Sequence, residues 1–246
     1  MTKTALSRKI VTCFIAGLTS IALLLMLGNS GTLVWFPPKI VFSLVGLTFL
    51  LSLIYPFIWQ SQENKNKVDS EKIYGFLYSI IRYTIAFNLA SFGWKKIFGL
   101  QFVVPSEISS QPMNQQSGEW LTWYYFGYSS VFGILLALIQ IIGAYFLLFR
   151  KTLLIASIVL FALMLNLTLI NIFYQMNAGA LMQSVLITIG ISFLILLDYD
   201  RLVVFFLKKK SNLPSILQRN VLLKQTIRIS AIILSLLFTL YLKSLI

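Results

Sequence analysis

The stretch that decides the fold is SIIRYTIAFNLASFGWKKIF, residues 79–98. It is mostly apolar, yet it carries Arg82 near its start and the pair Lys95–Lys96 close to its end. A helix that crosses the bilayer needs about 20 mostly apolar residues. An arginine in the middle of such a helix costs roughly 2.5–3.5 kcal/mol, so Arg82 marks either an inter-helix contact or a binding site.

The composition of the whole chain indicates that the lipid bilayer surrounds most of it. Of the 246 residues, 58% are hydrophobic and 11% are charged, and the mean hydropathy is +0.86. A soluble domain is about half apolar and about one quarter charged. The sequence therefore predicts an all-α, polytopic membrane helix bundle.

Seven apolar runs are long enough to be predicted as membrane-spanning helices. The fourth is too long for one crossing, so we expect its aromatic start to lie in the membrane interface or the helix to tilt strongly. The first resembles a signal peptide but lacks a small-x-small cleavage site after it, so we expect a retained helix, with cleavage as the alternative. The runs are 10–28, 39–59, 73–93, 123–149, 153–173, 179–197 and 226–245.

The distribution of basic residues predicts the orientation of these spans. Lysine and arginine collect in cytoplasmic loops. Outside or at the ends of the spans, fifteen basic residues, counting Arg228 near the start of the last run, fall on the side of the N-terminus. The other side holds only Lys39, Lys95, Lys96 and Lys243. We predict that the N-terminus is cytoplasmic and the C-terminus is outside. The net charge of +13 then reflects topology and anionic lipid headgroups, not nucleic acid.

The residues that the chain lacks exclude several kinds of chemistry. There is no histidine and one cysteine, Cys13, which excludes histidine haem ligation, histidine-rich metal sites, an internal disulfide and a CxxC redox pair. No aspartate or glutamate lies within a predicted span. We therefore predict no catalytic residue and no metal site, which favours a protein that is not an enzyme without deciding the matter.

Polar residues within the spans are the candidates for function, because burying them in lipid is costly. For Arg82 we weigh two interpretations: an ion pair with Asp198 or Asp200 at the cytoplasmic end of the sixth run, and a ligand-binding role. Thr84, Asn88, Ser91 and Lys95 recur at helical spacing and form one polar stripe. The intramembrane amides predict either inter-helix hydrogen bonds or a pocket for a headgroup. The candidate ligand-binding residues are Arg82, Asn88, Lys95, Lys96, Gln101, Gln140, Asn166 and Asn171.

Two segments outside the spans have a distinct composition. Segment 94–122 and the residues just after it are rich in Trp, Tyr and Phe, and Pro105 and Pro112 interrupt it. This pattern predicts an extracytoplasmic interfacial loop, either a cap on the bundle or an ordinary aromatic belt. Segment 208–224 is basic with apolar residues at helical spacing, which predicts an amphipathic helix on the inner leaflet or a plain basic loop.

Several short motifs occur in an order that resembles DoxX-like membrane proteins, especially the larger bacterial forms with extra helices. The resemblance covers about 74–207, four of the seven runs. It departs from the family pattern at Gln140, where glutamate is usual, and at Tyr174-Gln175, where an aspartate is expected. The matching residues are Arg82-Tyr83, Gly93, Lys96-Ile97-Phe98, Gln101-Phe102, WYYFGYS at 123–129, Gly143, Arg150, Thr152, Asn166, Asn171, Asp198 and Arg201-Leu202.

The resemblance implies a four-helix DoxX-like core over 73–207, preceded by two helices in 1–72 and followed by 208–246. It also implies the bacterial cytoplasmic (inner) membrane. The family includes a subunit of a thiosulfate:quinone oxidoreductase and membrane components of redox or assembly complexes. The two missing acids lower the expectation of proton-coupled catalysis in this chain.

The leading hypothesis for function is a non-catalytic or accessory subunit of a membrane complex. Such a subunit binds a protein partner, a lipid or a quinone within the bundle. The alternatives are a quinone-linked redox enzyme subunit and a small transporter or lipid-handling protein. We expect no cofactor held by the chain alone beyond a bound quinone or lipid. The expected partners are membrane lipids and other membrane or extracytoplasmic subunits, with no nucleic acid.

Overall fold

The computed structural model of the protein describes residues 5–28, 36–208 and 221–244, and these residues form helices and turns without a β-strand. They divide into two compact units, one up to Tyr199 and one from Asp200 onward. The helices are α1 (Leu6–Gly28), α2 (Pro38–Asn64), α3 (Ser70–Ile97), α4 (Ser106–Ser109), α5 (Gly118–Gly127), α6 (Ser130–Leu147), α7 (Leu153–Phe173), α8 (Ala178–Leu197), α9 (Tyr199–Val203) and α10 (Val221–Ser244).

Six helices in the described part of the chain are long and apolar enough to cross a membrane. They are α1, α2, α6, α7, α8 and residues Gln225–Ser244 of α10. The protein is therefore a multi-pass membrane protein, as its composition predicts. The prediction of about seven spans also counts α3, which has 28 residues but a more polar composition. The crossing of α3 at 73–93 stays a prediction.

The fourth apolar run is two helices rather than one long span. Helix α5 ends at Gly127 and α6 begins at Ser130, with the Ser129 hydroxyl accepting a hydrogen bond from the Phe132 main-chain N–H. A serine at this position satisfies one of the main-chain donors that the first turn of a helix leaves without a partner. The aromatic start of the run thus forms its own short helix, α5.

Helix α1 joins the bundle instead of standing apart from it. It packs against α2, α3 and α8, while α3 packs against α6, α6 against α7, and α7 against α8. The contact of α8 with α1 and α3 is close at Gly190, where an added Cβ would lie 2.6 Å from Thr19 and 2.8 Å from Ile85. Small residues allow such close approach between membrane helices. Helix α1 therefore lies against helices of the segment predicted as a four-helix core.

The segment after α3 crosses the end of this bundle. At the start of α5, a Cβ added to Gly118 would lie 2.5 Å from the main-chain oxygen of Tyr174, in the turn between α7 and α8. At the other end of α5, the Phe126 ring stacks on Phe102 with 5.3 Å between centroids. Asn177 donates a 3.0 Å hydrogen bond to Glu119. Helix α5 therefore connects the turn after α3 with the α7–α8 turn.

The second unit contains the remaining described helices. The residues from Val204 to Lys208 form one π-helical turn after α9, and the described side chains of α10 are exposed. Exposed apolar side chains on a helix of this length fit a lipid environment. Most of the basic segment predicted at 208–224 lies outside the described residues.

Candidate functional site

The candidate residues of α3 that meet another helix do so mainly along α6. We call this contact, from Arg82–Leu147 at one end to Lys96–Gln140 at the other, the α3–α6 seam. Gly93 lies between the two ends, and a Cβ added there would be 2.5 Å from the Ile141 side chain and 3.1 Å from the main-chain oxygen of Ala137. The missing side chain at Gly93 therefore lets α3 and α6 approach closely.

At one end of the seam, Arg82 is buried and bonds to main chain. Its Nε and Nη2 donate hydrogen bonds of 2.9 and 2.7 Å to the main-chain oxygen of Leu147. The guanidinium carbon also lies 5.5 Å from the Tyr78 ring centroid and 5.9 Å from that of Tyr83. The aromatic faces stabilise the cation in an environment without bulk water.

The partner of Arg82 explains why an arginine is tolerated at this position. Leu147 is the last residue of α6, and the final carbonyls of a helix have no partner within the helix. A cation at the C-terminus of a helix also interacts favourably with the helix dipole. Arg82 thus caps α6. The predicted ion pair with Asp198 or Asp200 stays a prediction, although the charges of Arg82 and Asp198 both lie near the Tyr78 hydroxyl.

At the other end of the seam, Lys96 connects α3 with α6 and with the following turn. Its ammonium donates a 3.0 Å hydrogen bond to Gln140 Oε1 and a 3.4 Å bond to the Phe92 main-chain oxygen. The Phe102 ring centroid is 5.8 Å from the ammonium. Phe102 has a φ of 66°, a main-chain conformation that residues other than glycine rarely adopt. The strained turn holds this ring against Lys96.

The electrostatic setting of this lysine pair makes one amine unusually ready to lose its proton. Both residues lie beyond the predicted span 73–93. Burial, with a smaller contribution from the neighbouring charge of Lys95, lowers the pKa of Lys96 to about 8. Burial also lowers the pKa of Lys95. Lys96 is thus still mostly a cation at neutral pH, and its ammonium already donates to Gln140 and to the Phe92 main-chain oxygen.

The polar stripe predicted along α3 stays a prediction as a binding site, but the candidate ligand-binding residues of this helix do not all lie on one face. Arg82 and Lys96 are fourteen residues apart, about 21 Å along a helix, and their directions differ by about 40°. Asn88 points about 120° away from Arg82. Asn88 is buried, and neither polar atom of its amide has a hydrogen-bond partner within the described part of the chain. The Thr84 hydroxyl donates to the main-chain oxygen of Ile80 in its own helix.

The amides of α7 also lie in different surroundings. Asn171 is buried and donates to the main-chain oxygen of Ala180 and to the Ser184 hydroxyl on α8, at 3.1 and 2.9 Å. Asn166 is exposed on the surface of the bundle, and Gln101 lies in the turn after α3. Among the eight predicted ligand-binding residues, Lys96 and Gln140 are the only two that form a hydrogen bond with each other in the described part of the chain.

The structure contains a buried ion pair that the sequence analysis missed. Lys9 of α1 is fully buried and pairs with Glu63 of α2. The Lys9 ammonium also donates a 2.6 Å hydrogen bond to Gln60 and lies 5.3 Å from the Trp59 ring centroid. Both charges fall on the predicted cytoplasmic side. Two opposite charges at the same membrane level can pair, so the sequence did contain a signal for this ion pair.

Helix α3 also reaches this ion pair. The hydroxyl of Ser70, the first residue of α3, donates to Glu63, and the Trp59 indole N–H donates to the Ser70 oxygen at 2.8 Å. Segment 60–72 is short, polar and of mixed charge, a composition that predicts a solvated cytoplasmic connector. In the structure it is partly buried instead, and it holds the ends of three helices together. We call Lys9, Trp59, Gln60, Glu63 and Ser70 the three-helix clamp.

Comparison of the chain with protein-family models, with curated proteins and with solved structures finds no match. The resemblance to DoxX-like proteins therefore rests on the sequence motifs alone. In the described residues, no group of three histidine, cysteine, aspartate or glutamate side chains is arranged to hold a metal ion.

Proposed function

We propose that this chain is an accessory, non-catalytic subunit of a membrane complex, with a DoxX-like core in a bacterial cytoplasmic membrane and its N-terminus inside. The observation that carries the proposal is that polar side chains within the bundle join neighbouring helices. Four such links join three helix pairs: two lie between α3 and α6, one between α7 and α8, and one between α1 and α2. They are Arg82 to Leu147, Lys96 to Gln140, Asn171 to Ser184, and Lys9 to Glu63.

Links of this kind favour a rigid scaffold over a ligand carrier. A polar group that already bonds to another helix must give up that bond before it binds a substrate. The bundle also leaves wide apolar faces uncovered. Helix α2 contacts the rest of the bundle mainly through α1, and most of its side chains are exposed, including Phe42, Phe49 and Phe57. Membrane lipids contact such faces, and another membrane subunit has room to pack there.

Cross-linking within the membrane tests the proposal. A photoreactive amino acid is placed at Phe42 on the exposed face of α2, and in a second variant at Val159 on the exposed face of α7. We expect one of the two faces to yield a discrete cross-link to a single protein that also copurifies stoichiometrically in mild detergent. Cross-links only to lipid from both faces, together with a chain that purifies alone, would contradict the accessory role.

A quinone-linked redox subunit is the second candidate, and one observation favours it. The buried amide of Asn88 has an N–H donor without a partner among the described residues, and a quinone oxygen needs such a donor. The other residues predicted to hold a quinone fit less well, since Arg82 is bonded to main chain and Lys96 to Gln140. Extraction of the purified protein with organic solvent shows whether quinone is bound, and Asn88→Leu removes it if this candidate is correct.

A further inference from the structure

A groove opens at the end of the bundle that carries the N-terminus, between α1, α3 and α8. Its volume is about 260 Å³, and its lining includes Arg8, Val11, Tyr74, Phe193 and Leu197. Pockets for small soluble ligands usually occupy about 300–1,000 Å³ and enclose most of the ligand. The smaller, open groove suits one part of a longer molecule, such as a lipid that is otherwise surrounded by the bilayer.

The charged residue of the lining lies nearer the helix ends than two of its apolar residues, Val11 and Phe193. Arg8 is two residues after the start of α1, about 3 Å from the helix end, while Phe193 is four residues before the end of α8, about 6 Å inward. Val11 lies one turn further along α1 than Arg8. Arg8 therefore lies nearer the helix ends than Val11 and Phe193, whereas Leu197 is itself the last residue of α8. A cation above apolar side chains is the order of headgroup and acyl chain in a phospholipid.

Arg8 is held in position to meet an anion at this level. Its guanidinium carbon lies 4.2 Å from the centroid of the Tyr74 ring, and the side chain is exposed. Stacking on a ring leaves the edge of the guanidinium, with its N–H donors, open to a phosphate. The adjacent Lys9 turns inward to Glu63, so Arg8 supplies the charge at this groove.

We propose that the groove binds one anionic phospholipid, with the phosphate on Arg8 and an acyl chain along Val11 and Phe193. A lipid is the occupant that matches both a cation at the membrane surface and apolar side chains below it. The site does not depend on the accessory role, because a chain that works alone has the same groove.

Lipid titration followed by native mass spectrometry tests the site on the delipidated full-length protein. The probes are phosphatidylglycerol and phosphatidylcholine with identical acyl chains, and inorganic phosphate as a competitor. We expect wild-type protein to retain one phosphatidylglycerol in preference to phosphatidylcholine, with no displacement by millimolar phosphate. Equal retention of the two lipids, or displacement by phosphate alone, would overturn the proposal.

Substitutions locate the binding to this groove. We expect Arg8→Gln to weaken phosphatidylglycerol binding about fivefold, the usual effect of one basic residue at an anionic surface. Arg150→Gln is the matched control, since Arg150 is exposed, lies on the same predicted side and is outside the groove. Val11→Trp fills the apolar part and should reduce binding of both lipids. If Arg8→Gln and Arg150→Gln weaken binding equally, the attraction is general surface charge and the site does not exist.

Helical circular dichroism and the melting temperature of each variant show whether it is folded. Arg8 and Val11 are exposed, so we expect both variants to melt close to wild type. Arg8→Lys provides a second measurement that keeps the charge but loses the planar fork of donors. It should bind phosphatidylglycerol with an affinity between those of wild type and Arg8→Gln.

Discussion

Arg82 on α3 donates two hydrogen bonds to the main-chain oxygen of Leu147, the last residue of α6. A single side chain thereby satisfies a carbonyl that α6 leaves without a partner and places a positive charge at the negative end of that helix. The same contact orients α3 and α6 along the seam that Gly93 and Lys96 complete. The charge that looks like a candidate ligand site in the sequence is part of the packing between two helices.

Removing this cap should destabilise the bundle. We expect Arg82→Met to lower the free energy of unfolding by about 1–3 kcal/mol, because the Leu147 oxygen loses its donors while it stays buried. Arg82→Lys keeps the charge and one donor and should lose less. Unfolding by SDS in mixed micelles, followed by circular dichroism, measures the difference. Wild-type stability in Arg82→Met would show that the contact contributes nothing.

Removing only one charge of the three-helix clamp should lower the free energy of unfolding more than removing both charges. Lys9→Met removes the Lys9 ammonium from its ion pair with the buried Glu63, and we expect a loss of about 3–5 kcal/mol in the free energy of unfolding. The double variant Lys9→Met with Glu63→Leu replaces the pair by apolar groups and should recover most of that loss. The measurement is a double-mutant cycle on unfolding in mixed micelles. Additive losses in the double variant would argue against the ion pair.

Gly93 should tolerate no side chain, whereas Gly75 on the same helix should accept one. A Cβ at Gly93 meets Ile141 at 2.5 Å, but a Cβ at Gly75 meets no atom within 4 Å. We expect Gly93→Ala to lower stability by about 1–3 kcal/mol through overpacking. Gly75→Ala should raise stability by up to about 1 kcal/mol, because alanine favours the helix. Equal melting temperatures for both variants would contradict the close approach of α3 and α6.

The amine of Lys96 should titrate well below an ordinary lysine. Competitive labelling with a trace of acetic anhydride, read by mass spectrometry across pH 6–11, should give a midpoint near 8 for Lys96. Gln140→Leu removes an acceptor that stabilises the charged amine, so we expect the midpoint to fall further. The folded state binds fewer protons than the unfolded state above pH 8, so stability should rise with pH from about 8 to about 10.5. An unshifted midpoint would refute the burial of the amine.

Cysteine labelling checks the predicted orientation. In a Cys13→Ala background, we introduce one cysteine at Asn64 after the apolar part of α2 and, separately, one at Met113 in the turn before α5. Both positions are exposed. An impermeant maleimide added to intact cells should label Met113→Cys and leave Asn64→Cys unlabelled until the membrane is opened. The reverse labelling pattern would show that the predicted orientation is wrong and that the N-terminus lies outside.

The sequence by itself determined the class of the protein and most of its helices. Long apolar runs require helices in a bilayer because each main-chain polar group must be satisfied within its own segment, and six such helices are present in the described residues. The break between α5 and α6 at Ser129, within the run 123–149, was harder to predict from the sequence. A serine cap is a local signal, but the apolar residues on both sides hide it.

Only the tertiary structure decided which polar residues meet. Lys96 and Gln140 were both candidates from the sequence, and the close approach at Gly93 brings their helices together. Arg82 was singled out correctly as a buried charge, but its main-chain partner has no sequence signature, since any residue at the end of α6 supplies the same carbonyl. Lys9 and Glu63 lie 54 positions apart, and composition alone treats both as solvated charges at helix ends. Periodicity and hydropathy indicate which face of each helix contacts lipid. Which side chains meet between helices depends on how each helix is rotated about its axis and how deep it lies in the membrane, and the packing of the helices determines both.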